Sequence, residues 1–237
     1  MLKNWKHYTG RVVDRFVAPL IPPSYRLALQ YQKFVLLLGW EPEVRHIKDY
    51  ASRCALAIDV GANMGLWSYA MAKSGMFENV LAFEPNPTLI SDLQHAEFKN
   101  VTVIHKAVSS APGTSHLKIP KQGDMLLTGW ASLENQIDVD TDEYQEIVVE
   151  TIRLDDLKLD GVGFMKVDVE GHELNVLEGA RNFFTTNRPV CLIECRDRNK
   201  RQVEEFFTGL HVGYRSVDTK ARYGYELSTG NALFATT

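Results

Sequence analysis

From residue 55 onward the chain alternates short apolar runs with stretches of helical periodicity, and that alternation constrains the fold more than any other feature of its 237 residues. Residues 55–60, 80–83, 101–108, 163–167 and 190–194 read as strands, and residues 66–74, 88–98, 173–184 and 200–207 as the helices around them. Strands that alternate with helices are joined by right-handed crossovers, which gives a mostly parallel sheet covered on both faces. Two last runs, 214–217 and 232–235, are joined by a turn-rich segment and close the sheet as an antiparallel edge.

The ends and the middle depart from this rhythm. Three prolines within residues 19–23 set off a basic, aromatic arm, and residues 24–51 have mostly helical spacing, with Ser24 as N-cap and breaks near Gly39 and Pro42. Residues 109–157 lack a strong helix; Pro112-Gly113 and the runs 116–119 and 147–152 read as a hairpin and meander around an acidic loop, 135–146. The expected organisation is an arm with helices over 1–51 and one α/β domain over 52–237 that carries an insertion at about 109–157. Hydrophobic residues at 45% support a full core, and a net charge of -4 argues against a nucleic-acid partner. Three cysteines, none in a Cys-x-x-Cys pair, fit a reducing cytoplasm. The longest apolar stretch, 34–38, is far short of the roughly 20 residues that span a bilayer.

The sharpest local signal is Asp59-Val60-Gly61-Ala62-Asn63-Met64-Gly65, directly after one strand and before a helix. Glycines there permit a tight turn and close approach of a ligand to the backbone. The spacing is Gly-x-x-x-Gly, so both the dinucleotide fingerprint and the P-loop are missing. Glu84 ends the next strand, about twenty residues on, where a carboxylate accepts both hydroxyls of a ribose. Together they describe a nucleoside pocket across the carboxyl edge of a parallel sheet.

At these residues, and at Phe83-Glu84-Pro85, Lys106-Ala107-Val108-Ser109, residues 150–157 and Met165-Lys166-Val167-Asp168-Val169-Glu170-Gly171-His172-Glu173, the sequence resembles the FkbM-type family of S-adenosylmethionine-dependent methyltransferases. The resemblance covers roughly residues 55–195. It implies a doubly wound, Rossmann-like, seven-stranded methyltransferase sheet, here with an N-terminal helical extension. It also implies that Asp59, Gly61, Asn63 and Gly65 line the methionine part of the cofactor, that Glu84 holds its ribose, and that Ala107 and Val108 border the adenine. A sulfonium has positive charge and no phosphate, so acidic strand ends suit it.

Three acids and an imidazole fall within residues 168–173. Asp168, Glu170 and His172 are the catalytic candidates, and Asp168 also faces the cofactor. Deprotonating a hydroxyl, contacting the cofactor amine and binding a divalent cation are the open alternatives for this cluster, with metal independence favoured. Trp130 and Ser132, in a segment that resembles the family's Gly-x-x-Ser-Leu, and Glu194 with Arg196 after the fifth strand, are the substrate-binding candidates.

The expected activity is O-methyl transfer to a hydroxyl of a sugar, glycan, glycolipid or polyketide-like acceptor. The rivals are a cofactor-binding scaffold without catalysis and a dinucleotide-dependent oxidoreductase, against which the missing fingerprint counts. Residues 1–23 form a short basic amphipathic segment, which suits either contact with the inner face of a membrane or packing on the domain or on a second subunit of a homodimer.

Overall fold

The structure, a computed structural model, describes residues 21–236 apart from 90, 97, 135–138, 140, 142 and 196. The arm over residues 1–20 and Arg196 therefore lie outside the described residues. Helix α1 (Pro23–Tyr31) runs into a π-helical stretch, Gln32–Leu37, and a 3-10 turn, Pro42–His46, leads to α2 (Ile47–Tyr50). The order then is β1 (Cys54–Val60), α3 (Leu66–Ser74), β2 (Phe77–Phe83), α4 (Ser91–His95), β3 (Val101–Ile104) and β4 (Ala107–Val108). The insertion holds β5 (Gly113–Gln122), β6 (Met125–Leu126) and β7 (Tyr144–Ile152). The chain ends with β8 (Val162–Val167), α5 (Glu173–Glu178), α6 (Arg181–Asn187), β9 (Val190–Glu194), α7 (Asp197–Gly209), β10 (Tyr214–Ser216), α8 (Thr219–Tyr223) and β11 (Asn231–Thr236).

The seven-stranded sheet has the order β10-β11-β9-β8-β1-β2-β3, with β11 antiparallel to both neighbours and the other pairs parallel. Its central strands are buried on both faces, and the period of two assigns their residues. Ile58, Val60, Met165, Val167, Cys191 and Ile193 pack under Val176, Leu177, Phe184 and Phe207 of α5, α6 and α7. Ala57, Phe164 and Leu192 face the other way, onto Met71 of α3 and Leu27, Val35 and Ile47 of the N-terminal segment. Full burial of a side chain such as Leu27 is worth about 1.5–3 kcal/mol, so the segment before residue 52 helps to close the second face. Strand order reverses between β1 and β8, which is where an open α/β sheet leaves a crevice at its carboxyl edge.

Four local expectations give way. The run 101–108 divides at a turn where the Lys106 N–H donates to the Ile104 carbonyl; β3 joins the large sheet and β4 pairs with β7 in a separate sheet, β4-β7-β5-β6. The helix read over 173–184 divides at Gly179, where a Cβ would meet the Ser109 carbonyl oxygen at 2.0 Å. The helix read over 88–98 contracts to α4 because Asn86 Oδ1 draws the Thr88 N–H and hydroxyl into a turn. Ser24 lies inside α1, whose N-cap is Pro22. The insertion is the expected hairpin: β5 pairs with β7 antiparallel, from Gly113 opposite Thr151 to Pro120 opposite Tyr144. Among the described residues no helix is long and apolar enough to cross a membrane.

Candidate active site

The turn after β1 is held from two sides. Gly61 and Ala62 donate their N–H groups to the Phe83 carbonyl at 2.9 and 3.0 Å, and the Asp168 N–H donates to the Val60 carbonyl at 3.0 Å. Gly61 has φ +78°, and a Cβ built on it would lie 1.8 Å from the Asp168 carbonyl oxygen, so two strand ends approach as only glycine allows. Gly65 stands at the head of α3, also in the left-handed region, with Leu93 packed where its side chain would be. Asn63 takes a positive φ without being glycine, and its N–H donates to Glu84 Oε2 at 2.9 Å. Glu84 Oε1 accepts from the Asn86 N–H at 2.8 Å. Burial pushes this carboxyl up to about 7, an effect that the two N–H bonds only partly oppose.

Glu84 opens onto a cavity whose walls include Gly61, Asn63, Ala107, Val108 and Asp168. The expected ribose, adenine and turn residues are thus brought together. The insertion supplies another wall through Gly129, Ala131, Ser132 and Leu133. Ser132 is buried, and its hydroxyl donates to the Glu170 carbonyl at 2.8 Å while it accepts from the Glu134 N–H. Trp130, although flanked by lining residues, is 41% exposed and is not itself among them.

Glu170 lines the same cavity in the left-handed region, at φ +52°. His172, also lining it, is engaged at both ring nitrogens: Nδ1 lies 2.6 Å from Glu134 Oε1 and Nε2 lies 2.9 Å from Ser109 Oγ. With a carboxylate at Nδ1, the neutral ring donates there and accepts the Ser109 hydroxyl at Nε2. Ser109 is not among the residues that line the cavity, so this chain of contacts is a strut joining the insertion to the entry of α5.

A second cavity lies on the other side of the turn and shares Gly61, Asn63 and Asp168 with the first. Asp59 and Lys166, register partners on β1 and β8, form its floor. Asp59 accepts from Ser68 Oγ at 2.6 Å, and burial raises its carboxyl to about 6. Lys166 is 1% exposed; its Nζ lies 3.5 Å from Asp168 Oδ2 and 3.7 Å from Glu194 Oε2, yet makes no hydrogen bond. Burial alone would lower this ammonium, but Asp168, Glu41, Glu194 and Asp59 reverse the effect and hold it above the ordinary lysine range. Glu194 is pushed up to about 8 by burial and by Asp168.

Glu41 is the site residue that the sequence reading missed. It accepts from Trp67 Nε1 at 2.9 Å, is raised by burial, and groups with Asp168 and Glu194 so that one oxygen of each lies within 4.8 Å of the others. Its backbone is left-handed, at φ 48°, and Glu43 two residues on is buried and accepts from the Ser228 N–H. Among the described residues this is the one group of three arranged to hold a cation, and it pairs Asp168 with Glu41 and Glu194, not with Glu170.

The profile of the methyltransferase FkbM domain matches residues 59–226. The chain belongs to the FkbM methyltransferase family. A curated relative, Methyltransferase 1 of Beauveria bassiana (strain ARSEF 2860), is 27% identical over an alignment 167 residues long that covers 59% of this chain and 67% of that one. A crystal structure of Methyltransferase FkbM from Methylobacillus flagellatus KT aligns with TM-score 0.51 and 17% identity, covering 95% of this chain. The present chain spans 60% of that structure's length. A TehB-like SAM-dependent methyltransferase from Corynebacterium glutamicum ATCC 13032 aligns with TM-score 0.47 and 13% identity, over 90% of this chain and 98% of its own.

FkbM methyltransferases depend on S-adenosylmethionine, and the donor set here fits that cofactor. Glu84 presents a carboxyl to the first cavity, the second cavity is acidic, and it has a buried ammonium still without a hydrogen-bond acceptor. The family match begins at Asp59, so Trp40 and Glu41 enter the site from a segment that precedes it.

Proposed function

We propose that this FkbM methyltransferase transfers a methyl group to a hydroxyl oxygen of a sugar, glycan, glycolipid or polyketide-like acceptor, with Asp168 as the base. The observation that carries this reading is the place of Asp168: it lines both cavities at the sheet's switch point, and its side chain keeps 26% exposure, so an acceptor can reach it. S-adenosylmethionine supplies a methyl group activated by its sulfonium. Glu84 accepts the ribose hydroxyls, while Ala107 and Val108 present apolar surface to the adenine. With the cofactor bound, the Asp168 carboxylate would take the proton of the acceptor hydroxyl as its oxygen displaces S-adenosylhomocysteine from the methyl carbon. Most of the acceleration comes from alignment of oxygen, methyl and sulfur.

His172, held at both nitrogens, orients the wall that carries Glu170 and is a positioning residue in this scheme. Ser132 acts likewise through the Glu170 carbonyl, whereas Trp130 and Glu194 line neither cavity. The Lys166 ammonium already stands among the three clustered carboxylates and supplies the positive charge there, so the reaction is written without a metal. Asp168→Asn is expected to lower kcat about a hundredfold, with affinity for S-adenosylhomocysteine changed far less, and chelator to leave the wild-type rate intact. Loss of activity in chelator, restored by magnesium, manganese or calcium, would put an ion in the cluster instead. Incubating cell extracts with the enzyme and methyl-labelled cofactor, followed by mass spectrometry, identifies the acceptor; label on nitrogen or carbon would overturn the O-methyl assignment.

The proposal extends to the arm. Residues 1–23 either bring the enzyme to an anionic membrane that presents a lipid-linked acceptor or pack on the domain or on a second copy of the chain. Packing is the reading preferred. Full-length protein and a chain starting at Ser24 should pellet equally with anionic vesicles, and loss of dimer mass on truncation would select the subunit contact. Pelleting of the full chain alone would establish the membrane contact.

A further inference from the structure

A third cavity opens at the carboxyl end of β9, where Glu194 meets the segment 39–43 and the residues just before and at the start of β11. Of its nine lining residues only Glu194 falls within the family match, 59–226, so the chain's flanking segments build it. It adjoins the second cavity, because Trp40 and Glu41 line both, and Glu194 brings a carboxylate oxygen within 4.8 Å of one on Asp168. None of its lining residues belongs to the turn after β1. An occupant therefore lies beside the base and apart from the cofactor's turn.

This cavity offers hydrogen-bond acceptors and negative charge. Glu41, Glu43 and Glu194 line it, and no basic side chain does. Glu43 is only 2% exposed; the Ser228 N–H donates to its Oε1, while its buried Oε2 has no hydrogen-bond partner. Asn231 Oδ1, on another lining residue, is buried and equally without one. Such oxygens are expensive unless a donor completes them. Lys166 approaches Glu194 from the second cavity, with Nζ 3.7 Å from Oε2, but one ammonium does not balance three carboxylates. An anion is thus repelled, and a neutral hydroxyl leaves the charge unmatched. A bare ion fits poorly as well: the oxygens close enough to share one belong to Glu41, Asp168 and Glu194, which leaves Glu43 out. Trp40, stacked on Phe34 with centroids 4.5 Å apart, adds an aromatic wall that attracts an organic cation. Burial raises the Glu41 and Glu194 carboxyls, and a cation beside them favours their ionised forms.

We infer that the third cavity is the acceptor's specificity pocket and takes a primary ammonium, so that the hydroxyl to be methylated belongs to an amine-bearing acceptor, of which an amino sugar is the simplest. Glu43 is the carboxylate partner of the ammonium, and Glu41, Glu194 and Asn231 accept from the hydroxyls around it. This rests on the hydroxyl-methylation reading above and narrows its acceptor class.

Calorimetry on the full chain saturated with S-adenosylhomocysteine tests this with glucosamine, N-acetylglucosamine and glucose, which share a hydroxylated ring and carry an ammonium, a neutral amide or neither. Glucosamine should bind about 10- to 100-fold more tightly than the other two, the range of a charge-assisted hydrogen bond. Glu43→Gln should remove that preference, and Asn231→Ala should weaken glucosamine severalfold; neither should change affinity for S-adenosylhomocysteine. Equal binding of the three sugars, binding of none, a preference that survives in Glu43→Gln, or magnesium or calcium that excludes glucosamine each overturns the inference, and normal binding of S-adenosylhomocysteine alongside leaves the methyl-transfer reading intact. Failure to bind S-adenosylhomocysteine overturns that reading too, and methyl label on the glucosamine nitrogen overturns its hydroxyl acceptor. Should Glu43→Gln not fold, the wild-type series and Asn231→Ala still decide.

Discussion

Gly61→Ala should destabilise the protein by roughly 2–5 kcal/mol and abolish measurable methyl transfer, and Gly61→Val should do so at least as strongly. The cause is the first side-chain atom, not the ligand. A Cβ at residue 61 meets the Asp168 carbonyl oxygen at 1.8 Å, and that oxygen is backbone, so no rotamer change relieves the contact. At φ +78° a non-glycine residue adds about 1–2 kcal/mol of strain, and forced separation of packed elements typically adds about 1–3. Moving the end of β8 also displaces the Asp168 carboxylate and Lys166, so activity falls further than stability. Urea denaturation measures the stability loss, a methyl-transfer assay the loss of activity, and S-adenosylhomocysteine titration the affinity that remains. An alanine variant with wild-type stability and affinity would show that the two strand ends do not meet as closely as described. The sequence alone suggested that a side chain here intrudes on the cofactor; the structure puts the intrusion against the protein's own backbone.

That difference marks where sequence reading stops. Strands β1, β8 and β9 were legible because their runs are buried on both faces, and a helix-lined parallel sheet leaves few alternatives for such runs. The antiparallel edge of β10 and β11 was legible as well, from two terminal runs joined by a turn-rich segment. Sheet membership was not: residues 101–108 are apolar throughout most of their length, and nothing in that pattern tells that β4 leaves the large sheet for β7. Nor did Gly179 announce a break, since its role depends on the Ser109 carbonyl seventy residues earlier in the chain. At the site, Asp59, Gly61, Glu84, Ala107, Val108 and Asp168 follow strand ends and converge as expected. Glu41 carried no such signal. It lies between Gly39 and Pro42, which read as a break, and its value comes from a left-handed backbone and a bond to Trp67 that only the folded chain brings into being.

Glu84→Ala should cost roughly 3–6 kcal/mol of cofactor affinity, because two ribose hydrogen bonds to a charged acceptor vanish and each is worth about 1.5–3 kcal/mol. The loss has a structural part too, since the Asn63 and Asn86 N–H groups both donate to this carboxyl and are left without it. Charge state makes the prediction sharper. Burial raises the Glu84 carboxyl from 4.5 to about 7, with Asp59 and Asp168 adding to the rise and the two N–H groups opposing it. Between those values the folded protein holds a proton that the unfolded chain has released, so the free protein loses stability as pH climbs through that window. Cofactor binding runs the other way: ribose hydroxyls donate best to the ionised carboxylate, so binding expels the proton and affinity rises as pH passes through about 7. Asp59, raised to about 6, adds a shallower gradient of the same sign, because its ionised form favours the ammonium of the ligand. Titrating S-adenosylhomocysteine across this range should therefore show affinity increasing with pH and a proton released on binding near pH 7, and Glu84→Gln should lose the central part of that gradient. A wild-type affinity that is flat with pH, or a gradient that survives unchanged in Glu84→Gln, would remove Glu84 from the ribose.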